Sequence, residues 1–130
     1  MIVAVPVEKN DLNPPVSPEF GKSRWFVLYD TVEEASSIIE NLYSDSLGDA
    51  GVHSAQMLIE KNVDAAIIES AGSNSLRLLS AAGIKVYKST GKSAAEALDL
   101  LIDEKLVLVL APAEGRRIKR RRRGGRTNRR

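Results

Sequence analysis

Two short loops carry residue types that hold anions through the backbone. Gly48-Asp49-Ala50-Gly51 and Gly72-Ser73-Asn74-Ser75 combine glycine with small polar residues, and each runs into a segment of helical periodicity. A helix N-terminus presents N–H groups without acceptors and a partial positive charge, so such loops suit anionic ligands. The same residues also serve simply to cap helices, so one loop alone decides nothing.

His53 is the single histidine and falls in the first turn after the first glycine loop. One imidazole cannot build a closed zinc site, which takes four ligands. It is either an exposed helix-surface residue or one ligand to a preassembled cluster whose other valences are sulfide. The chain has no cysteine, which excludes disulfides, thiolate metal sites and cysteine nucleophiles. Serine nucleophiles need a base in reach, and one histidine serves that poorly. A two-metal nuclease needs clustered carboxylates, yet the first apolar run, Ile2 to Val7, holds no acid. Gly91-Lys92-Ser93 resembles the end of a phosphate-binding loop, but position 86, where the motif needs its first glycine, is Val86. The expectation is a binding protein, not an enzyme.

The elements that must position these loops follow from hydrophobic periodicity. Ile2-Val3-Ala4-Val5-Pro6-Val7 reads as a buried strand with its proline at the strand end, and Trp25 to Tyr29 as a second strand. Gly51 to Lys61 carries Val52, Ala55, Leu58 and Ile59 on one helical face; Ala65 to Ile68 is a buried strand. Ser73 to Ala82 is a helix stopped by Gly83, because glycine takes the left-handed cap conformation freely. Ile84 to Tyr87 is a strand, and Ser93 to Glu104 a helix opened by a capping box of Ser93 and Glu96. Between Thr31 and Tyr43, the residues Val32, Ala35, Ile38, Ile39 and Leu42 fit a helical stripe, and Glu33, Glu34 and Ala35 favour helix.

Alternating helices and strands in the second half require parallel strands joined by right-handed crossovers. Their C-terminal ends then share one rim, where ligands of open α/β sheets bind. The rim loops, 8–24, 44–52, 69–75 and 88–93, hold Ser17, Gly21, Gly48, Gly51, Gly72, Ser73, Asn74, Ser75, Ser89, Thr90, Gly91 and Ser93, with Lys22, Arg24, Lys88 and Lys92 nearby. Their convergence makes a pocket for an anion.

The chain resembles the dinitrogenase iron–molybdenum cofactor biosynthesis family. The matching pieces are Ile2-Val3-Ala4-Val5-Pro6, Val16-Ser17-Pro18-Glu19-Phe20-Gly21-Lys22 leading to Phe26, and Gly48-Asp49-Ala50-Gly51-Val52-His53-Ser54-Ala55-Gln56. Asn62 to Ile67, Gly72-Ser73-Asn74-Ser75, Ala82 to Tyr87, and Gly91 with Glu96-Ala97-Leu98 complete it over about residues 1–106. Glu19 and Lys22 stand where many relatives have His and Arg, and Ser73 where a proline is common. The resemblance implies an α/β fold with a five-stranded mixed sheet of ribonuclease H-like topology, order 3-2-1-4-5, second strand antiparallel, with three helices. Residues 34–42 then form a strand, against their helical stripe. It also implies a non-enzymatic carrier of an iron–molybdenum or other molybdenum–sulfur cluster, served by cofactor donor and acceptor proteins. The implied cofactor-binding set is Ser17, Phe20, Gly21, Gly48, Gly51, His53, Gly72 and Asn74, with His53 as the metal ligand.

The formal charge of +2 averages two unlike regions. Residues 116–130 hold ten Lys and Arg and no acid, leaving nine basic against seventeen acidic residues before them. With Ile118 as its sole large apolar residue, this tail cannot bury enough surface to order itself. The expected division is a domain over 1–115 and a disordered arginine-rich tail over 116–130. No apolar run approaches the length of a membrane helix, and no charged region followed by an apolar stretch opens the chain. The expectation is therefore a cytoplasmic protein without membrane contact. The tail suits nonspecific nucleic-acid or other polyanion binding, without aromatic residues for base stacking. A solubilising role and pairing with the acidic body are the alternatives. Deleting 116–130 should leave the thermal midpoint nearly unmoved and abolish binding to single-stranded DNA, which in the full chain should weaken steeply with added salt. A large drop in the midpoint would show the tail to be part of the fold.

Overall fold

The structure, a computed structural model, describes residues 1–46, 48–90 and 93–110. The charged tail, the boundary at 111–115 and Gly91-Lys92 lie outside the described residues. Nine elements follow in the order β1 (Ile2–Val7), β2 (Trp25–Asp30), β3 (Ala35–Glu40), α1 (Ala50–Glu60), β4 (Ala65–Ile68), α2 (Ser73–Ala81), β5 (Lys85–Lys88), α3 (Ala94–Ile102) and β6 (Leu108–Leu110). They build one mixed sheet of order β3-β2-β1-β4-β5-β6. β1, β4 and β5 run parallel, while β2 is antiparallel to β1 and β3, and β6 is antiparallel to β5.

The expected order 3-2-1-4-5 therefore holds, with one correction: the sheet has six strands. β6 ends the apolar run Leu106-Val107-Leu108-Val109-Leu110, which adds itself antiparallel to the free edge of β5. Residues 35–40 form a strand, as the family resemblance implied and the helical stripe did not. Ile38 packs with the layer of Val3, Val5 and Val27, whereas Ile39 packs with the layer of Ala4 and Phe26. Neighbours on opposite faces are the signature of a period of two. The preceding turn is closed by the Asp30 carboxylate, which accepts from the N–H groups of Val32 and Glu33.

Both faces of the sheet are covered. Along β1, Val3, Val5 and Val7 point toward α3, and Ala4 points toward α1 and α2; along β4, Ala65 and Ile67 face α3 while Ala66 and Ile68 face the helix pair. A parallel strand pair covered on both sides must be apolar throughout, which is why these segments read as continuous runs. Pro6 is one residue inside β1, beyond the last β1–β4 partner pair Ala4↔Ala66, so its missing N–H interrupts no parallel ladder. Its carbonyl accepts from the Ser17 N–H at 2.7 Å. Ser93 and Glu96 form the expected capping box on α3, and Gly83 ends α2 with a φ of +86°.

The loop between β1 and β2 is locked onto α1 at its centre. A Cβ on Gly21 would lie 2.5 Å from both Cα and N of Gly51, so the two backbones are in direct contact. Asn41, buried just past β3, fixes this contact: its Nδ2 donates to the carbonyls of Ser23 (2.8 Å) and Gly21 (3.3 Å) and to Ser54 Oγ (3.0 Å). Ser54 Oγ also donates to the Gly21 carbonyl at 3.2 Å. Because the obstruction at Gly21 is backbone, Gly21→Ala should cost about 1–3 kcal/mol of stability, the usual range for overpacking. Thermal unfolding reads this directly, and an unchanged midpoint would show the contact to be loose.

Candidate functional site

Four strands point one way, and the loops leaving β1 and β4 meet the entry to α1 on one rim; Ser89, Thr90 and Ser93 of the expected rim loop after β5 are not among the lining residues. Between them lies a cleft of about 500 Å³. One wall is the β1–β2 loop, with Glu19, Phe20, Gly21 and Lys22; the opposite wall is the β4–α2 loop, from Ser70 to Ser75; α1 enters the cleft with Gly48, Asp49, Ala50, Gly51 and Val52. The two walls are tied together. Phe20 N–H donates to the Ser70 carbonyl at 3.0 Å, and Ser70 Oγ donates to the Pro18 carbonyl at 2.7 Å.

Two helix N-termini open into this cleft without side-chain caps. The N-cap of α1 is Asp49, whose carboxylate makes no capping bond, and the N-cap of α2 is Gly72, which has no side chain. The N–H groups of Ala50, Gly51 and Val52 on α1, and of Ser73, Asn74 and Ser75 on α2, have no acceptor among the described residues. A helix leaves such donors unpaired unless a cap, water or ligand takes them. Neither first turn holds an acid that would neutralise the dipole from within. Among side chains on the cleft, Lys22 is opposed by Glu19 and Asp49, so the positive character of the cleft comes from the backbone.

Gly72 has an extended backbone, φ −69° and ψ 158°, and open space where a Cβ would go. Its φ and its surroundings do not require glycine. Gly51 is different, because a Cβ there would overlap the Ser75 hydroxyl oxygen. Gly48 sits at φ +88°, in the left-handed region that favours glycine.

Of the residues expected to bind a cofactor, Phe20, Gly21, Gly48, Gly51, Gly72 and Asn74 border the cleft. Phe20 is buried and packs tilted against Phe26, ring centroids 5.5 Å apart, so it forms the floor of the wall and offers little surface to a ligand. Ser17 and His53 are not among its lining residues. Ser17 is buried beside the end of β1, its hydroxyl donating to the Glu8 carboxylate and its N–H to Pro6. His53 is exposed and stacks on Tyr43, with ring centroids 5.2 Å apart. The reason is helical geometry: two residues beyond Gly51 is about 200° around the axis, on the far side of α1. Of the cations expected nearby, Lys22 alone among the described ones lines the cleft. Lys88 Nζ instead donates to the Glu69 carbonyl at 2.6 Å, and Arg24 lies outside the lining. Among the described residues no group of three or more His, Asp or Glu could hold a metal ion. Nor is any described helix long and apolar enough to cross a membrane.

Ser46, Ser70 and Ala71 also line the cleft; they fall in the rim loops 44–52 and 69–75 but were not singled out as binding residues, although residues directly following a parallel strand fall on the C-terminal rim.

Known proteins share this fold. The apo form of the orange protein from Desulfovibrio gigas superposes with a TM-score of 0.80 at 26% identity, covering 87% of this chain and 96% of that one. A solution structure from Thermotoga, described as a candidate NifB protein of the DUF35 family, gives 0.74 at 31% identity, covering 87% and 97%. The uncharacterized protein MJ0580 of Methanocaldococcus jannaschii is 28% identical over 109 residues, 82% of this chain and 89% of its own length. The model of the family described as dinitrogenase iron-molybdenum cofactor matches residues 1–104, and the chain belongs to that family.

Proposed function

We propose that this protein binds and carries an anionic metal–sulfur cluster of the iron–molybdenum or molybdenum–sulfur type, without turning over a substrate. The observation that carries the reading is the pair of helix N-termini without side-chain caps, whose amides, lacking acceptors among the described residues, surround one cleft. Sulfide and oxide groups of such clusters are hydrogen-bond acceptors bearing negative charge, which is what these amides lack. Membership of the family and likeness to the orange protein support the same reading. A carrier must also release its cargo, and a site of backbone donors without a covalent or metal-ligating anchor suits reversible holding. Proteins that donate and accept the cluster are the partners this implies, in the cytoplasm. His53, exposed on the far side of α1, has no part in this binding.

A second reading rests on the ten Lys and Arg of the tail: binding of nucleic acid or another polyanion, independent of the cleft. The two separate by where the ligand is lost, since the described residues that line the cleft all lie between Glu19 and Ser75.

The test is anaerobic purification with metal and sulfide analysis, followed by titration with tetrathiomolybdate. Gly72→Asp is the informative variant, because its side chain would cap α2 from the cleft side. It should leave the fold as stable or raise it by a few tenths to about 1 kcal/mol, through the cap and the dipole, while tetrathiomolybdate binding is lost. Gly72→Ser, which caps without adding charge, should weaken binding to a lesser degree. Undiminished binding in both variants would remove the α2 N-terminus from the site.

A further inference from the structure

Ser75 is the third residue of α2, 4% exposed, and lines the cleft. Its hydroxyl has no hydrogen-bond partner among the described residues. Buried hydroxyls are nearly always paired, because removing one from water uncompensated is costly. The other buried serines follow that rule where their bonds are described: Ser54 bonds Gly21 and Asn41, Ser23 bonds the Phe20 carbonyl, and Ser17 bonds Glu8. Ser75 departs from it where the first turns of α1 and α2 touch, with its oxygen in the place that a Cβ on Gly51 would take.

Resting on the carrier reading above, we propose that the Ser75 hydroxyl is a ligand-contacting donor at the floor of the cleft. It donates to a terminal sulfido or oxo group of the bound anion, while the amides of both helices hold its remaining acceptors. The ligand class is thereby narrowed to small anions with a terminal acceptor atom that can reach the α1–α2 junction. Gly51 then has a second role, since only the absence of a side chain there leaves the hydroxyl its place. A methyl at position 51 pushes the Ser75 hydroxyl aside without altering the hydroxyl itself.

The experiment is anaerobic titration of the full chain with tetrathiomolybdate, measuring affinity and thermal midpoint for the wild type, Ser75→Ala and Gly51→Ala. A hydroxyl that serves a charged ligand and nothing else gives an unchanged midpoint in Ser75→Ala with affinity weaker by about ten- to a hundredfold. Gly51→Ala should lose affinity in the same range, and the double variant should lose little more than either alone, because both remove one donor. Unchanged affinity in Ser75→Ala overturns the proposal and leaves the hydroxyl as a space-filler, with the carrier reading intact. A midpoint that falls in step with affinity also overturns it, by making the hydroxyl structural. A wild type that binds no tetrathiomolybdate overturns the carrier reading itself, and this inference with it.

Discussion

The site depends on one contact, the meeting of the Gly21 and Gly51 backbones. It joins the longest loop between described elements to the first turn of α1, and it needs Gly21 to carry no side chain, since a Cβ there would meet the Gly51 backbone. Glycine alone does not make such a contact, since chain entropy opposes holding a loop of this length in one place. The holding comes from Asn41, whose amide hydrogens go to Gly21, Ser23 and Ser54, and whose carbonyl oxygen accepts from Tyr43 N–H at 3.0 Å. Every group in this knot is paired internally, so burial costs little and the geometry is specific. One consequence reaches the cleft: with Gly21 fixed against α1, Glu19 to Lys22 form a wall and not a free flap.

The sheet supplies the other half of the positioning. Parallel pairing of β1, β4 and β5 sets where the β4–α2 loop and the start of α1 must lie, and the apolar layers on both faces fix the two helices that deliver amides to the rim. α1 and α2 pack side by side on one face and α3 alone on the other. The cleft therefore forms on the side where two helix N-termini stand together, whereas the N-terminus of α3 is closed by its own capping box. The contrast is chemical as much as geometric. Of the three described helices, the two facing the cleft lack side-chain caps and the one away from it has a complete capping box.

Much of this was legible in the residues. The β-branched runs and the stop at Gly83 marked their elements because burial on both faces demands uniform apolarity, and because few residues accept a positive φ. The β3 segment was not legible from its residues. An edge strand that leaves Ala35 to Ser37 exposed has no reason to alternate, and its two isoleucines also suit a helical stripe. The family resemblance, not periodicity, made it a strand. β6 left a readable signal, five apolar residues with two valines, yet it follows a helix closely and adds to an edge that was complete without it. In the site, topology located the glycine loops, but the direction of each side chain was beyond it. His53 and Gly51 are two residues apart and face opposite ways. Ser17, placed correctly near the rim, is consumed by partners at Glu8 and Pro6 that only the folded chain brings near.

A site made of main-chain donors places unusual demands on a sequence. It asks for few particular side chains, only for small residues where the backbone must be reached: Gly51 beside Ser75, Gly72 at the mouth of α2, Gly21 behind them. The side chains around it can then carry charges that look ill suited to an anion, as Glu19 and Asp49 do, because helix N-termini act on a bound anion at contact distance. Amides also do not tell one metal from another. They recognise the acceptor atoms and the outline of the cluster, so discrimination must come from the shape of the cleft and from any donor with a fixed direction. Ser75, buried in the lining, is a side-chain donor that meets that description, and under the proposed carrier role the selectivity of the site turns on it.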